Sequence, residues 1–381
     1  MRILDRYLLR EFLVPLAASL IAFSLLFVVF DLFDRMGRFL NASAPPASIP
    51  VYYFHYLFAF SGNVSLIVAI LPISLLLASL YCASNMIRHN EFVAMMAGGI
   101  SFSRILMPFG IVGLIASLLA LAAQEHLGAP SVRWMRRYER TVLKREVLQP
   151  VVKGFVYMNA TDNRLWQIPL YNPTNTFSLG EVTVIQRKSD RSETVYFTGS
   201  AYFADGTWWL RNPRIEHRNP DGAVIGEPEE HSKLAMEMRH WKETPNDFAI
   251  EHQVISEQAG GRNMYPWQDL AARDIRTYLD NHADFPKKKK AEIATDYFAR
   301  FATPFACLIV ALLGVPTGLK TGRANAMTRV ILSIALFFVF YLSLQISLYF
   351  GKTQWLPPML AAWLPNLLFA ALSVRMIGKL N

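Results

Sequence analysis

The sequence predicts an α-helical membrane protein: six transmembrane helices, three and three, around an inserted antiparallel β domain. Three observations carry this. The chain of 381 residues is 53% hydrophobic, and its apolar residues gather into long runs at both ends. Six of those runs are long enough to span a bilayer core, which takes roughly 20 residues for a thickness of about 30 Å. Between them lie short segments rich in Val, Ile, Thr, Tyr, Phe and Trp.

The predicted spans are Phe12 to Phe33, Tyr56 to Ser84, Ile105 to Ala123, Phe298 to Leu319, Val330 to Phe350 and Leu356 to Val374. Several hold proline (Pro15, Pro72, Pro108, Pro304, Pro316, Pro365), which membrane helices tolerate when neighbouring groups re-satisfy the freed backbone. The first run is too long for a signal peptide, and no small-residue cleavage site follows it. In the middle, Phe155–Met158, Leu165–Ile168, Val182–Ile185, Thr194–Thr198 and Thr207–Leu210 read as strands. Asp205-Gly206 reads as a tight hairpin turn. Thr161-Asp162-Asn163 and Asn219-Pro220-Asp221-Gly222 are further turn signals. Such spacing argues for an antiparallel sandwich or open barrel, extending to about Ile250. Pro266 to His282, with Leu270, Ile275 and Leu279 among charges, reads as one amphipathic helix. Lys287–Lys290 read as a basic linker. The organisation is therefore 1–127 for helices one to three, with a short helix near 85–100; 128–265 for the β domain; 266–291 for the amphipathic helix and linker; and 292–381 for helices four to six.

Lys and Arg in short loops set the orientation. One side carries Arg2, Arg6, Arg10, Arg88, Arg104, Lys320, Arg323, Arg329, Arg375 and Lys379; the other carries Arg35, Arg38 and Lys352. Both termini are thus expected in the cytoplasm and the β domain on the outer side. The net charge of +9 suits anionic lipid headgroups. Without a basic helix or aromatic stacking motif, it does not point to nucleic acid. Both cysteines, Cys82 and Cys307, fall in spans, so the β domain is expected to fold without a disulfide.

No catalytic motif emerges. Gly314 to Thr321 resembles a phosphate loop only superficially, because Leu319 stands where the second glycine belongs and the segment ends an apolar helix. The histidines lack metal-site spacing, and no nucleophile motif is present. No metal and no cofactor is expected, and any energy for work must come from a partner.

The loop Asn85 to Gly99 is too polar at Arg88–Glu91 for the bilayer core and too apolar at Phe92–Met96 for a solvated loop. It reads as a short amphipathic helix stopped by Gly98-Gly99, suited to the membrane surface or to a groove on a partner. Met95 and Met96 suit a docking surface. Glu91 is either a solvated charge beside Arg88 or a docking residue.

At this point the chain resembles the LptF/LptG family, the permease subunits of the lipopolysaccharide export transporter. The features are Ile3-Leu4-Asp5-Arg6-Tyr7-Leu8 before the first span, Leu71-Pro72 in the second, and the loop from Asn90-Glu91 to Ser101. Arg300 to Pro304 and Leu313 to Pro316 in the fourth span and Leu356-Pro357-Pro358 before the sixth complete the order, over the whole chain. The opening residues look more like LptG than LptF. The resemblance implies a β-jellyroll-like outer domain, a sister permease, a cytoplasmic ATPase dimer (LptB-like) that uses the ATP, periplasmic bridge proteins (LptC/LptA-like), and lipopolysaccharide taken from the outer leaflet of the inner membrane. It implies that Glu91, with Arg88, Phe92 and Met95, forms the ATPase-coupling helix. Arg35, Arg38, Arg133, Arg136 and Arg137 suit a basic headgroup site, or simply snorkel to phospholipid phosphates. Two other classes remain open. One is a membrane scaffold whose outer domain binds an envelope protein, which predicts no ATPase partner. The other is a membrane-embedded lipid enzyme, which requires ionisable groups clustered within the spans.

Overall fold

A computed structural model describes residues 3–61, 64–144, 151–188, 190–236, 241–259, 266–320 and 326–378. Arg2, Arg323 and Lys379, used above for orientation, lie outside the described residues. The chain divides into two compact units, Met1–Glu146 with Lys287–Asn381, and Val147–Pro286.

In the first unit, α1 (Ile3–Asn41) is followed by α2 (Ser48–Phe58), a minimal hairpin of β1 (Phe60–Ser61) and β2 (Val64–Ser65), and α3 (Leu66–Arg88). The expected second span from Tyr56 is therefore interrupted. Its first residues belong to α2, and the membrane-length helix starts at Leu66. The physical reason is the pairing of Phe60 with Ser65, which turns the chain before it can continue as one helix. After α4 (Glu91–Ala97) comes α5 (Phe102–Ala123), which does not stop where its apolar run stops. It passes through a π turn (Gln124–Gly128) into α6 (Ala129–Tyr138) and a second π turn (Glu139–Leu143), forming a rod of 42 residues.

The inserted unit contains β3 (Val152–Asn159), β4 (Arg164–Tyr171), β5 (Ser178–Leu179), β6 (Val182–Arg187), β7 (Glu193–Thr198), β8 (Ser200–Ala204), β9 (Thr207–Arg211), β10 (Arg214–Arg218), β11 (Val224–Glu230) and β12 (Lys233–Met236). They form a six-stranded sheet, β11-β10-β7-β6-β4-β3, and a four-stranded sheet, β12-β9-β8-β5, with every pairing antiparallel. Asp205 (φ 52°) and Gly206 (φ 76°) make the β8–β9 turn. Both take the left-handed conformation that a two-residue hairpin demands and that glycine adopts without penalty. Inward side chains of both sheets share one core. Trp166, Tyr157 and Phe155 come from one sheet and Trp208 and Leu210 from the other, closed by Phe248 of α7 (Pro245–Ala259). Trp166 lies 5.2 Å from Trp208 and 5.1 Å from Phe248, ring to ring. Helix α7 replaces the β structure expected to run to Ile250. The expected single helix from Pro266 to His282 is a 3-10 turn (Pro266–Asp269) followed by α8 (Ala272–Asn281).

The chain then returns to the first unit through α9 (Lys287–Ala302), a 3-10 turn (Thr303–Phe305), α10 (Ala306–Lys320), α11 (Ala326–Lys352) and α12 (Pro358–Gly378). Lys287–Lys290 form the first turn of α9. Among the described residues, six helices or helical rods are long and apolar enough to cross a membrane. Their core unites Leu8 and Phe12 of α1, Leu75 and Leu80 of α3, Phe102 and Phe109 of α5, and Val310 and Val315 of α10. Small residues let the backbones approach. A Cβ added at Gly314 would lie 2.5 Å from Ser79 Cβ, and one at Gly318 would lie 2.8 Å from both the Leu80 carbonyl oxygen and Ala83 Cβ. The segment that imitates a phosphate loop is thus a small-xxx-small packing seam of α10 against α3. Where the 3-10 turn interrupts the fourth rod, the Leu308 N–H donates to Ser117 Oγ of α5 at 3.2 Å.

Candidate functional sites at the two ends of the first helix

The first site is α4 and its surroundings. Asn90, at φ 59°, ends α3 and starts α4 in the left-handed region that asparagine tolerates. This break redirects the chain, and Glu91 does not pair with Arg88. Its Oε2 accepts a hydrogen bond from Tyr7 Oη of α1 at 2.8 Å. Arg88 is exposed. Phe92, Met95 and Met96 turn inward and pack on the helix-bundle core, with Phe92 edge-on to Phe102 at 6.0 Å. The outward surface of α4 is Val93, Ala94 and Ala97, with Val93 57% exposed. Met95 and Met96 are half-buried and root the helix on the core, and small apolar side chains face out. Arg104, at the start of α5, pairs with Asp5 at 3.6 Å.

The second site lies at the other end of α1. Arg35 Nε donates to Asp31 Oδ1 at 2.9 Å, and an Arg35 terminal nitrogen donates to Glu139 Oε1 at 2.8 Å. Its guanidinium lies 5.8 Å from the centre of the Tyr52 ring. Tyr52, Tyr53, Tyr138 and Phe39 form the aromatic cluster beneath it. Burial raises the proton affinity of the Tyr52 phenol, and the adjacent Arg35 charge only partly opposes this, so the phenol stays neutral. Arg35 thus has its charge met by two carboxylates. Arg38 pairs with Asp34 at 3.2 Å on an exposed face. On α6, Arg133 and Arg137 are exposed one turn apart, while Arg136 is half-buried. Arg35 and Arg38 near the end of α1 and Arg133, Arg136 and Arg137 on the rod, linked through the Arg35–Glu139 pair, thus occupy different electrostatic settings.

A third feature had no counterpart in the sequence reading. Lys352 Nζ at the end of α11 lies 2.7 Å from Asp296 Oδ1 of α9, and Asp296 is fully buried. Arg300, one turn further along α9, is 1% exposed. Asn366 of α12 donates to the Ala302 carbonyl at 2.6 Å. Because α9 runs unbroken from Lys287, Asp296 and Arg300 fall inside the helical rod and not at its edge. Lys352 meets the buried Asp296 charge and Asn366 the Ala302 carbonyl, so the group ties α9, α11 and α12. Among the described residues no group of three or more His, Cys, Asp or Glu side chains could hold a metal ion.

The profile of the family described as lipopolysaccharide export system permease LptF/LptG matches residues 6–379. The chain belongs to this family. No curated protein matches it. As an LptF/LptG permease, it is a multi-pass membrane component of a bacterial lipopolysaccharide export system. The family description spans both sister permeases, and the match does not separate them. Tyr7 sits inside a motif that carried the resemblance, yet its partner is 84 residues away, so no local pattern could assign it a role.

Proposed function

We propose that this LptF/LptG permease works beside a sister permease on a cytoplasmic ATPase dimer. Together they extract lipopolysaccharide from the outer leaflet of the inner membrane and pass it to a periplasmic bridge. Both termini face the cytoplasm and the inserted β unit faces the periplasm; ATP is bound and spent by the partner, and the chain itself needs no cofactor. One observation carries this reading. Helix α4 offers an exposed, small-residue surface flanked by Arg88 and Glu91, while Phe92, Met95 and Met96 are seated in the bundle core. A partner that presses on α4 therefore presses on α1, α3, α5 and α10 together, which is the kind of packed element a two-state transporter requires. At the other end of α1, the exposed cations Arg38, Arg133 and Arg137 are available to a phosphorylated headgroup, with Arg136 alongside. Arg35, already matched by Asp31 and Glu139, shapes the site.

The test is co-purification of the chain with the ATPase, wild type against Glu91→Lys. The wild type is expected to hold the ATPase and stimulate its turnover, and the charge-reversed chain to lose the complex or the stimulation. A wild type that holds no ATPase would overturn the exporter reading in favour of an envelope scaffold. Equal binding and coupling by both would remove Glu91 from the docking surface.

A further inference from the structure

The segment that carries α4 is bound to α1 at both of its ends. At its start, Tyr7 Oη donates to Glu91 Oε2 at 2.8 Å. Beyond its end, in the first turn of α5, Arg104 pairs with Asp5 at 3.6 Å. Asp5 and Tyr7 lie in the first two turns of α1. Just above them Leu8 and Phe12 are fully buried, with Phe12 against Phe109 of α5 at 4.8 Å. Further along, α1 changes character. Leu25, Leu26, Phe27 and Phe30 are exposed, and only 11% of its apolar window is buried in the chain. At the far end Arg35 fastens it to Glu139. A helix of 39 residues is about 58 Å long at 1.5 Å per residue. Helix α1 is therefore a rod fixed at both ends, packed on α3 as far as Ser19, whose hydroxyl meets the Ser74 carbonyl, and largely exposed over Leu25–Phe30. One end touches the docking helix and the other enters the arginine and tyrosine cluster.

We propose that Tyr7 is the positioning residue that joins the docking helix to this rod. Its hydroxyl holds the Glu91 carboxylate, so a displacement of α4 is delivered to the base of α1 and along it to the Arg35 end. The hydroxyl is the donor and the carboxylate only accepts, so the bond has a single polarity and disappears with the loss of one oxygen atom. The usual partner of Glu91 would be Arg88, one turn earlier, but the left-handed Asn90 between them turns the carboxylate towards α1. The Asp5–Arg104 pair gives the same segment a second hold, which keeps α4 from pivoting about Glu91 alone. This inference rests on the reading of α4 as the site where an ATPase docks.

The experiment uses the full permease pair and ATPase, reconstituted in proteoliposomes, and measures lipopolysaccharide released per ATP hydrolysed. Wild type, Tyr7→Phe, Glu91→Gln and the double variant are compared. Tyr7→Phe is expected to co-purify with the ATPase and to keep hydrolysing ATP, while export per ATP falls about tenfold, the scale of a lost hydrogen bond to a charged group. Because the hydroxyl acts through Glu91, the double variant is expected to fall no further than the lower of the two single variants. Export per ATP at the wild-type level in Tyr7→Phe would overturn the proposal. So would losses that multiply in the double variant, since Tyr7 would then act elsewhere. A wild-type chain that never retains the ATPase would sink the functional reading first. A coupled wild type with an unaffected Tyr7→Phe would sink this proposal alone.

Discussion

His282 has both ring nitrogens facing acceptors. Nδ1 lies 2.9 Å from the Tyr278 carbonyl oxygen and Nε2 lies 3.2 Å from Glu251 Oε2. A neutral imidazole can donate from only one of them, so the protonated ring fits this place better. Burial alone would lower its proton affinity. The Glu251 carboxylate outweighs that, with help from the Tyr278 carbonyl and Asp284, and the pKa rises above the usual histidine value. A group whose proton is held more tightly in the folded state stabilises that state below its unfolded pKa, near 6.5, and loses the contribution as pH rises through the folded pKa. Thermal stability of the inserted unit is therefore expected to fall as pH is raised from below about 6.5 through the raised folded-state pKa of His282. His282→Phe is expected to flatten that dependence, and a wild-type profile as flat as the variant's would refute the assignment. This residue also marks the limit of sequence reading at this scale. Residue types could be read: the acid on the docking helix, the arginines after the spans, the aromatic residues of the β unit. Partners within one turn, such as Asp31 for Arg35, are implied by helical spacing. Glu139 for Arg35, Tyr7 for Glu91 and Lys352 for Asp296 are not, because only tertiary packing brings them within reach. The burial of Phe155, Tyr157, Trp166 and Trp208, by contrast, follows from their residue types alone.

Elements were legible wherever one period dominated. The five strands read from β-favouring composition between turn residues and the Asp205-Gly206 turn are all present, and so, among the described residues, are six spanning helices. Helix α7 was missed because its mean character is neither apolar nor strongly amphipathic. It is held by Phe248 inserting into the sandwich, which no local pattern announces. The start of the second span was misplaced because α2 is as apolar as the helix that follows it, and apolarity cannot show a break. The Gly314 to Gly318 seam shows the same ambiguity from the other side, since two glycines before a lysine suggest a phosphate loop while their four-residue spacing suits close helix packing. Gly318→Ala separates the two. The added methyl has no room between Leu80 and Ala83, so overpacking is expected to cost about 1–3 kcal/mol and to lower the thermal midpoint in detergent. Gly37→Ala, in the open surroundings of α1, is expected to be neutral or to gain about 0.5–1 kcal/mol from better helix propensity. Equal behaviour of the two variants would mean that α10 does not depend on this seam.

At the scale of the whole chain, the two units satisfy different solvents with different devices. The helical unit exposes large apolar side chains along α1, α11 and α12, as a bilayer requires, and uses its few buried charges in pairs. The inserted unit hides its aromatic residues between two sheets and carries its ionic needs internally. Arg164 meets both oxygens of Glu243 at 2.8 and 2.7 Å, while Trp208 donates to the Glu243 carbonyl at 2.8 Å. That pair is almost fully desolvated, so each partner is needed to tolerate the other's burial. A domain of this size buries roughly two thirds of the surface of its unfolded chain, enough for a self-sufficient core without disulfides. Both cysteines lie in the helical unit. Residues 147–286 expressed alone are therefore expected to fold, with a β-rich far-UV spectrum, a sharp near-UV signal from the packed tryptophans and one cooperative thermal transition. If the fragment instead shows secondary structure without near-UV signal, the aromatic core depends on the helical unit, and the chain is one cooperative fold despite its two compact units.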